Sequence, residues 1–241
     1  YTTWLADYNK DLHALDLPFI CRDHAHADAV LEGSIGAELL AGVSKQSNIK
    51  AMAFTYSGGY RVMASSKEIK TAEDLKGLTI AIKNNPIFAD MAEAFGANYN
   101  LILEADKNEV KPLGSKSDTV QTTLSRYYLE ANNKIHKHVT NTQHNLYLTT
   151  IVINDAFWNS LSIEDQMIIK QAALNSARKE RAWSVEDAEK ISSDKSEQEK
   201  LGIATFHELS ADESDKLKDS VKGLYTKYTK FFTPGLIDSI L

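Results

Sequence analysis

The chain has one cysteine, four prolines and no excess of basic residues among its 241 positions. A single cysteine, Cys21, excludes an internal disulfide and leaves the redox compartment undecided. Twenty-seven Lys and Arg against 33 Asp and Glu give a formal charge of -6. That is the wrong sign for a nucleic-acid partner, whose phosphates attract basic faces. No apolar run approaches the roughly 20 residues needed to span a bilayer, so no membrane-embedded segment is expected. Gly-x-Ser-x-Gly, a Walker loop, Gly-x-Gly-x-x-Gly and His-Glu-x-x-His are all absent. Their absence removes sequence support for the common hydrolase, nucleotide-binding and zinc-protease sites. Cys21 follows an apolar run that reads as buried, and a nucleophile would need a paired base. His24 and His26 with Asp23 and Asp28 make a dense polar cluster. Two positions apart on a helix the imidazoles diverge, so a solvated helix start is preferred there, and no metal or cofactor is expected.

What is present is an α/β chain with 43% apolar residues, enough to bury a core as one domain or two lobes. Residues 71–98 pack the most information. Thr71 and Asp74 form a capping box, Gly77 closes that turn, and residues 78–82 are a short apolar run suited to a buried strand. Asn85 and Pro86 start a helix whose apolar face is Met91, Ala92 and Phe95. A strand feeding a helix N-terminus is a place where backbone amides can hold an anion. Elsewhere, residues 28–40 read as helix interrupted near Gly33 and Gly36. Residues 49–56 and 60–66 read as strands around Ser57-Gly58-Gly59, and 146–154 as a strong strand. From 163 to about 200 there is no Pro or Gly, so one helix of roughly 55 Å is expected, long enough to brace two lobes. Residues 203–206 read as a short strand. Ser210 and Glu213 cap a last helix carrying a core stripe of Leu217, Val221, Leu224, Tyr225 and Tyr228.

Several segments, in order, make the chain similar to a known family. They are Leu15-Asp16-Leu17-Pro18-Phe19 with Arg22-Asp23, and Gly59-Tyr60-Arg61. The 71–98 segment follows, then Leu124-Ser125 within 118–140, the turn Thr140-Asn141-Thr142-Gln143-His144, and Phe157-Trp158-Asn159-Ser160-Leu161. Together these resemble the periplasmic solute-binding subunits of TRAP transporters, the dicarboxylate-binding type. The resemblance implies a two-lobed periplasmic-binding-protein-like clamp with a long helix bracing both lobes. Lobe I would take residues 1–58 and 148–187, and lobe II residues 59–147 and 188–241. It also implies a first lobe short of its N-terminal strands, because the chain begins late relative to the family. The start at Tyr1 without a methionine suits a processed or trimmed chain.

Function follows as expectation. The resemblance implies capture of a small organic acid between the lobes, hinge closure, and delivery to TRAP membrane permease subunits. It implies a periplasmic place in a Gram-negative bacterium with the signal peptide removed, and no enzymatic step. The alternatives are a small α/β enzyme using the same cleft, and a binding subunit that reports to a sensor. Arg61 matches a family arginine on the ligand carboxylate, and a guanidinium offers paired donors to two carboxylate oxygens. Ala81 stands where the family has its principal arginine. Lys83, on the same strand face, is the candidate to supply the missing charge. Asn84 matches a position that hydrogen-bonds ligand. Gln121 and Thr122 replace a Glu-Asn pair and lie where the family has its ligand-binding helix. Tyr1 would lie at the cleft mouth. In 104–117, Pro112 and Gly114 break the helix expected there, so that pocket wall must be built differently.

Overall fold

A computed structural model describes residues 2–102 and 114–241. Among them the strands are β1 (Ile49–Tyr60), β2 (Val62–Ser65), β3 (Thr79–Ile82), β4 (Asn98–Leu101), β5 (Thr119–Thr122), β6 (His138–Asn141), β7 (Leu146–Asn154) and β8 (Thr205–Glu208). The α-helices are α1 (His24–Glu32), α2 (Ser34–Gln46), α3 (Pro86–Ala94), α4 (Leu124–Leu129), α5 (Asp155–Ser160), α6 (Ile163–Ser193), α7 (Lys195–Lys200), α8 (Ala211–Tyr228) and α9 (Leu236–Ile240). β1 and β7 pair antiparallel as a long two-stranded ladder. The other six strands form one sheet in the order β4-β3-β5-β2-β6-β8. In it β3 is parallel to β4 and β5, β6 is parallel to β8, and β2 is antiparallel to β5 and β6.

The chain runs from β1 directly into β2, and returns from β6 through a short turn into β7. These two crossings join the lobe of the two-stranded ladder to the lobe of the six-stranded sheet. α6 packs along β1 and also against α4, so it bridges both. Arg181 ties it down: its Nη1 donates to the Phe54 carbonyl at 2.7 Å, and its guanidinium pairs with Glu32 and Asp28.

Strand alternation covers both faces of the larger sheet. Met63, Ile80 and Ile82 turn to one cluster with Phe88, Met91 and Leu217. Val62, Ala64, Ala81 and Val120 turn to the other, under Leu124 and Tyr127. The α8 stripe is buried at Leu217, Val221, Leu224 and Tyr228, and Tyr225 reaches the Pro18 carbonyl at 2.6 Å. The capping box at Thr71 and Asp74 and the Asn85 cap of α3 both form.

Three elements differ from expectation. The single helix expected over 163–200 stops at Ser193, which makes α6 about 46 Å long. Ser192 and Ser193 turn their hydroxyls back onto the Glu189 carbonyl. Asp194 then leaves helical geometry, and its carboxylate accepts from Ser196 N at 2.8 Å to start α7. Residues 118–140 are not a ligand-binding helix but strand, one short helix and strand. Three of the four residues in Thr119-Val120-Gln121-Thr122 are β-branched and all four are buried, so the segment takes a place in the sheet between β3 and β2. The last strand sits at 205–208 rather than 203–206.

Candidate functional site

β3, β5 and β6 all end at the edge of the six-stranded sheet where β2 begins, because β2 runs antiparallel to β5 and β6. Carboxyl ends of strands are where open α/β sheets present ligands. Both lobe crossings pass this edge. At the first, Gly58 and Gly59 take φ of +89° and +76° where the β1–β7 register shifts. At the second, residues 142–145 are pinned to the early 15–19 segment. Phe19 N donates to the His144 carbonyl at 2.7 Å, and Asn145 Nδ2 to the Asp16 carbonyl at 3.0 Å. Two motifs more than 120 positions apart therefore meet here.

Arg61 is the centre of the site. It is 3% exposed, and its backbone N–H donates to the Asn145 carbonyl at 2.7 Å. Its Nε donates to Asn145 Oδ1 at 3.2 Å. The guanidinium carbon lies 4.1 Å from the Tyr147 ring centroid and 5.5 Å from that of Phe88. Aromatic faces suit a weakly hydrated, delocalised cation taken out of bulk water. Lys83 Nζ donates to Tyr147 Oη at 3.0 Å. A third cation comes from α4: the Arg126 guanidinium carbon is 4.8 Å from the same ring. Arg126 is held by Glu130 through Nε at 2.8 Å and donates from Nη1 to Ser57 Oγ at 3.2 Å. Glu130 also accepts from Thr122 Oγ1 at 2.6 Å and from Asn132 Nδ2 at 3.2 Å.

The residues expected from sequence divide as follows. Arg61 and Lys83 meet at Tyr147, and Thr122 joins them through Glu130. Asn84 is exposed in the bend after β3. Gln121 points to the opposite face from Thr122, where its Oε1 accepts from His144 Nε2 at 3.2 Å. Ala81 is buried against Val120 and Gly114 in the sheet core. Tyr1 lies outside the described residues, as does Pro112. Sequence reasoning missed Tyr147, Arg126, Glu130, His144 and Asn145. The available signal was the Arg126/Glu130 spacing of four on a helix and the position of Tyr147 just after a turn already singled out.

His144 is wholly buried, and burial together with the nearby Arg61 charge pushes its pKa from 6.5 down to about 3. The neutral ring donates from Nε2 to Gln121, so Nδ1 accepts the Thr142 hydroxyl at 2.7 Å. A fixed neutral imidazole behind the arginine is a structural wedge, not a proton shuttle. Cys21 is no nucleophile either: burial, with Asp23 nearby, pushes its thiol up to about 12. A separate cavity of about 570 Å³ lies between α2, β1 and α6, lined by residues that include Leu40, Ala51, Phe54, Trp158, Leu174 and Arg181. The cations grouped around Tyr147 do not line it. What the sheet-edge arrangement can do is hold an anion.

A family model described as bacterial extracellular solute-binding protein, family 7, matches residues 2–230. The chain belongs to this family. It is 28% identical over 220 residues to the 2,3-diketo-L-gulonate-binding periplasmic protein of Escherichia coli, covering 90% of this chain and 65% of that protein. Its fold matches a TRAP periplasmic solute-binding protein from Polaromonas bound to D-erythronate, with a TM-score of 0.84 at 21% identity over 98% of this chain and 75% of that one. It also matches one from Xanthobacter autotrophicus with bound β-D-galacturonate, with a TM-score of 0.79 at 27% identity and the same coverage. The chain spans 50–67% of the length of eight curated relatives that it matches. As a family-7 member it shares a two-lobed α/β fold with proteins named for solute binding rather than catalysis. No described helix is long and apolar enough to cross a membrane.

Proposed function

We propose that the chain is the ligand-capturing part of an extracytoplasmic solute-binding subunit of a TRAP transporter. It takes a small organic acid into the cleft between residues 1–58 with 148–187 and residues 59–147 with 188–241. The observation that carries this reading is the gathering of Arg61, Lys83 and Arg126 around Tyr147 at the carboxyl edge of the larger sheet. Arg61 is the principal carboxylate contact, with Lys83, Asn84 and Thr122 around it. The 2,3-diketo-L-gulonate-binding relative and the neighbours bound to D-erythronate and β-D-galacturonate support an acid as ligand. Closure about the 58–59 and 142–145 crossings would present the loaded form to membrane permease subunits in the periplasm. The chain carries no chemistry; capture and population shift are its work.

The test is a thermal-shift screen with organic acids, sugar acids, keto acids and neutral polyols. A ligand at a hundred times its Kd adds about 2.7 kcal/mol of stability, a visible rise in Tm. A rise with acids and none with polyols is expected. A cooperative melt unmoved by every acid would overturn the reading.

A further inference from the structure

Three aromatic rings gather at the end of α8 and in the turn after it. The Tyr228 ring centroid lies 5.5 Å from that of Phe231 and 6.3 Å from that of Phe232. Tyr228 and Phe232 are buried, whereas Phe231 is 53% exposed. All three line a cavity of about 380 Å³. Pro86 and the buried Ile87, from the first turn of α3, line it as well. A concave space of this size with apolar and aromatic walls is what small-molecule sites offer.

The charges around the cavity do not balance. Asp90 is the one acid among the described residues that line it, and its carboxylate is already taken. It accepts from Tyr228 Oη at 2.7 Å and pairs with Lys227 at 2.5 Å. The Tyr228 hydroxyl is thereby satisfied, and its ring is left for apolar contact. His13 lies with Nδ1 2.8 Å from Asp16 Oδ2. Lys10, in the 3-10 turn Lys10–Asp16, also lines the cavity and has no acidic partner among the described residues. With Lys227 offset by Asp90, the Lys10 charge is unspent.

The cavity is distinct from the cation group at the sheet edge. Arg61, Lys83, Arg126 and Tyr147 do not line it. α3 separates the two places, with Phe88 facing the Arg61 guanidinium and Ile87 facing the cavity. Three rings offer edges and faces on which a fourth can pack. An unspent ammonium beside them selects a ring that carries a negative charge.

We propose that this cavity is a second ligand site, for a small aromatic carboxylate. Its ring lies against Tyr228, Phe231 and Ile87, and its carboxylate pairs with Lys10. The site goes beyond the solute-capture reading and does not depend on it.

An NMR titration of the whole chain, labelled at its isoleucine methyl groups, tests this with phenylacetate as the probe. The controls are phenylacetamide, which lacks the charge, and cyclohexylacetate, which lacks the aromatic ring. The expected result is saturable movement of the Ile87 methyl resonance, with each control weaker by about threefold or more. Phe231→Ala and Lys10→Gln should each weaken phenylacetate by about the same factor with the melt unchanged. Lys10→Gln alters an exposed side chain and decides the matter if Phe231→Ala fails to fold. No saturable movement of the Ile87 methyl overturns the inference. So does either control binding as tightly as phenylacetate, or an affinity that neither substitution moves. Each of these outcomes leaves the solute-capture reading standing, because no residue of the group around Tyr147 lines this cavity.

Discussion

Ala81 and Gly114 are packed so closely that a β-carbon added to Gly114 would sit 2.3 Å from the β-carbon of Ala81. Gly114 has φ of +67°, which glycine adopts without strain. Ala81 is itself 1% exposed, so a longer side chain there would have to displace its neighbours.

Ala81→Arg should accordingly destabilise the protein without improving acid binding. The added chain must displace the Gly114 backbone or Val120, and its charge would enter the sheet core. Overpacking of this kind costs about 1–3 kcal/mol, and burying the charge adds to that. Urea unfolding followed by circular dichroism would measure it. A variant as stable as the parent, binding acids more tightly, would show that position 81 can accept a charged side chain that reaches the ligand.

Arg61→Ala should abolish useful binding of any acidic ligand. Removing a buried cation that pairs with a ligand charge costs about 2–5 kcal/mol, or roughly thirtyfold or more in Kd. Arg61→Lys should recover only part of this, since an ammonium cannot keep both the Asn145 hydrogen bond and the stack on Tyr147. Calorimetry gives the Kd, and unchanged affinity in the alanine variant would remove Arg61 from the site.

These cases show what the sequence made legible. The β-strand at 146–154, the capped helix after Asn85 and the α8 stripe follow from local pattern and capping chemistry, and the structure reproduces them. Arg61 was singled out because its segment resembles a family's, and the structure places it against Tyr147. Tyr147 was not, because an aromatic in an apolar strand looks the same in sequence whether it fills a core or carries three cations. Arg126 and Glu130 escaped for another reason. A resemblance points only to matched positions, and Arg126 and Glu130 stand at none of the positions it singled out. Gln121 and Thr122 were read as a pair on a helix. A strand's twofold alternation sends one to His144 and the other to Glu130.

His144 makes stability depend on pH in a definite direction. Its pKa is about 3 in the folded protein and 6.5 when unperturbed. Between those values the unfolded chain binds a proton that the folded chain refuses, so stability falls as pH drops below 6.5. The slope reaches about 1.4 kcal/mol per pH unit and flattens near pH 3. His144→Gln removes this contribution. Denaturant midpoints of the parent and the variant at pH 7, 5.5 and 4.5 should therefore converge on acidification, the parent losing more. Parallel pH profiles would mean that the imidazole takes its proton in the folded state.

The two glycines at the first crossing should respond unequally to alanine. At Gly58 a β-carbon would lie 2.3 Å from Thr123 Oγ1, the hydroxyl that donates to the Ser57 carbonyl at 2.8 Å. At Gly59 the nearest atom would be His24 Cε1 at 3.5 Å, an ordinary contact, so only the positive φ is unfavourable. Gly59→Ala should cost about 1 kcal/mol from backbone strain alone. Gly58→Ala adds a clash worth about 1–3 kcal/mol more. The clash also breaks the link between β1 and the residue after Thr122, next to the Ser57 hydroxyl that Arg126 reaches. Gly58→Ala should therefore weaken acid binding as well as lower Tm, whereas Gly59→Ala lowers Tm and leaves the Kd within about twofold. Equal losses of stability and affinity in the two variants would mean that Thr123 yields at no cost, and that this crossing does not hold the cations in place.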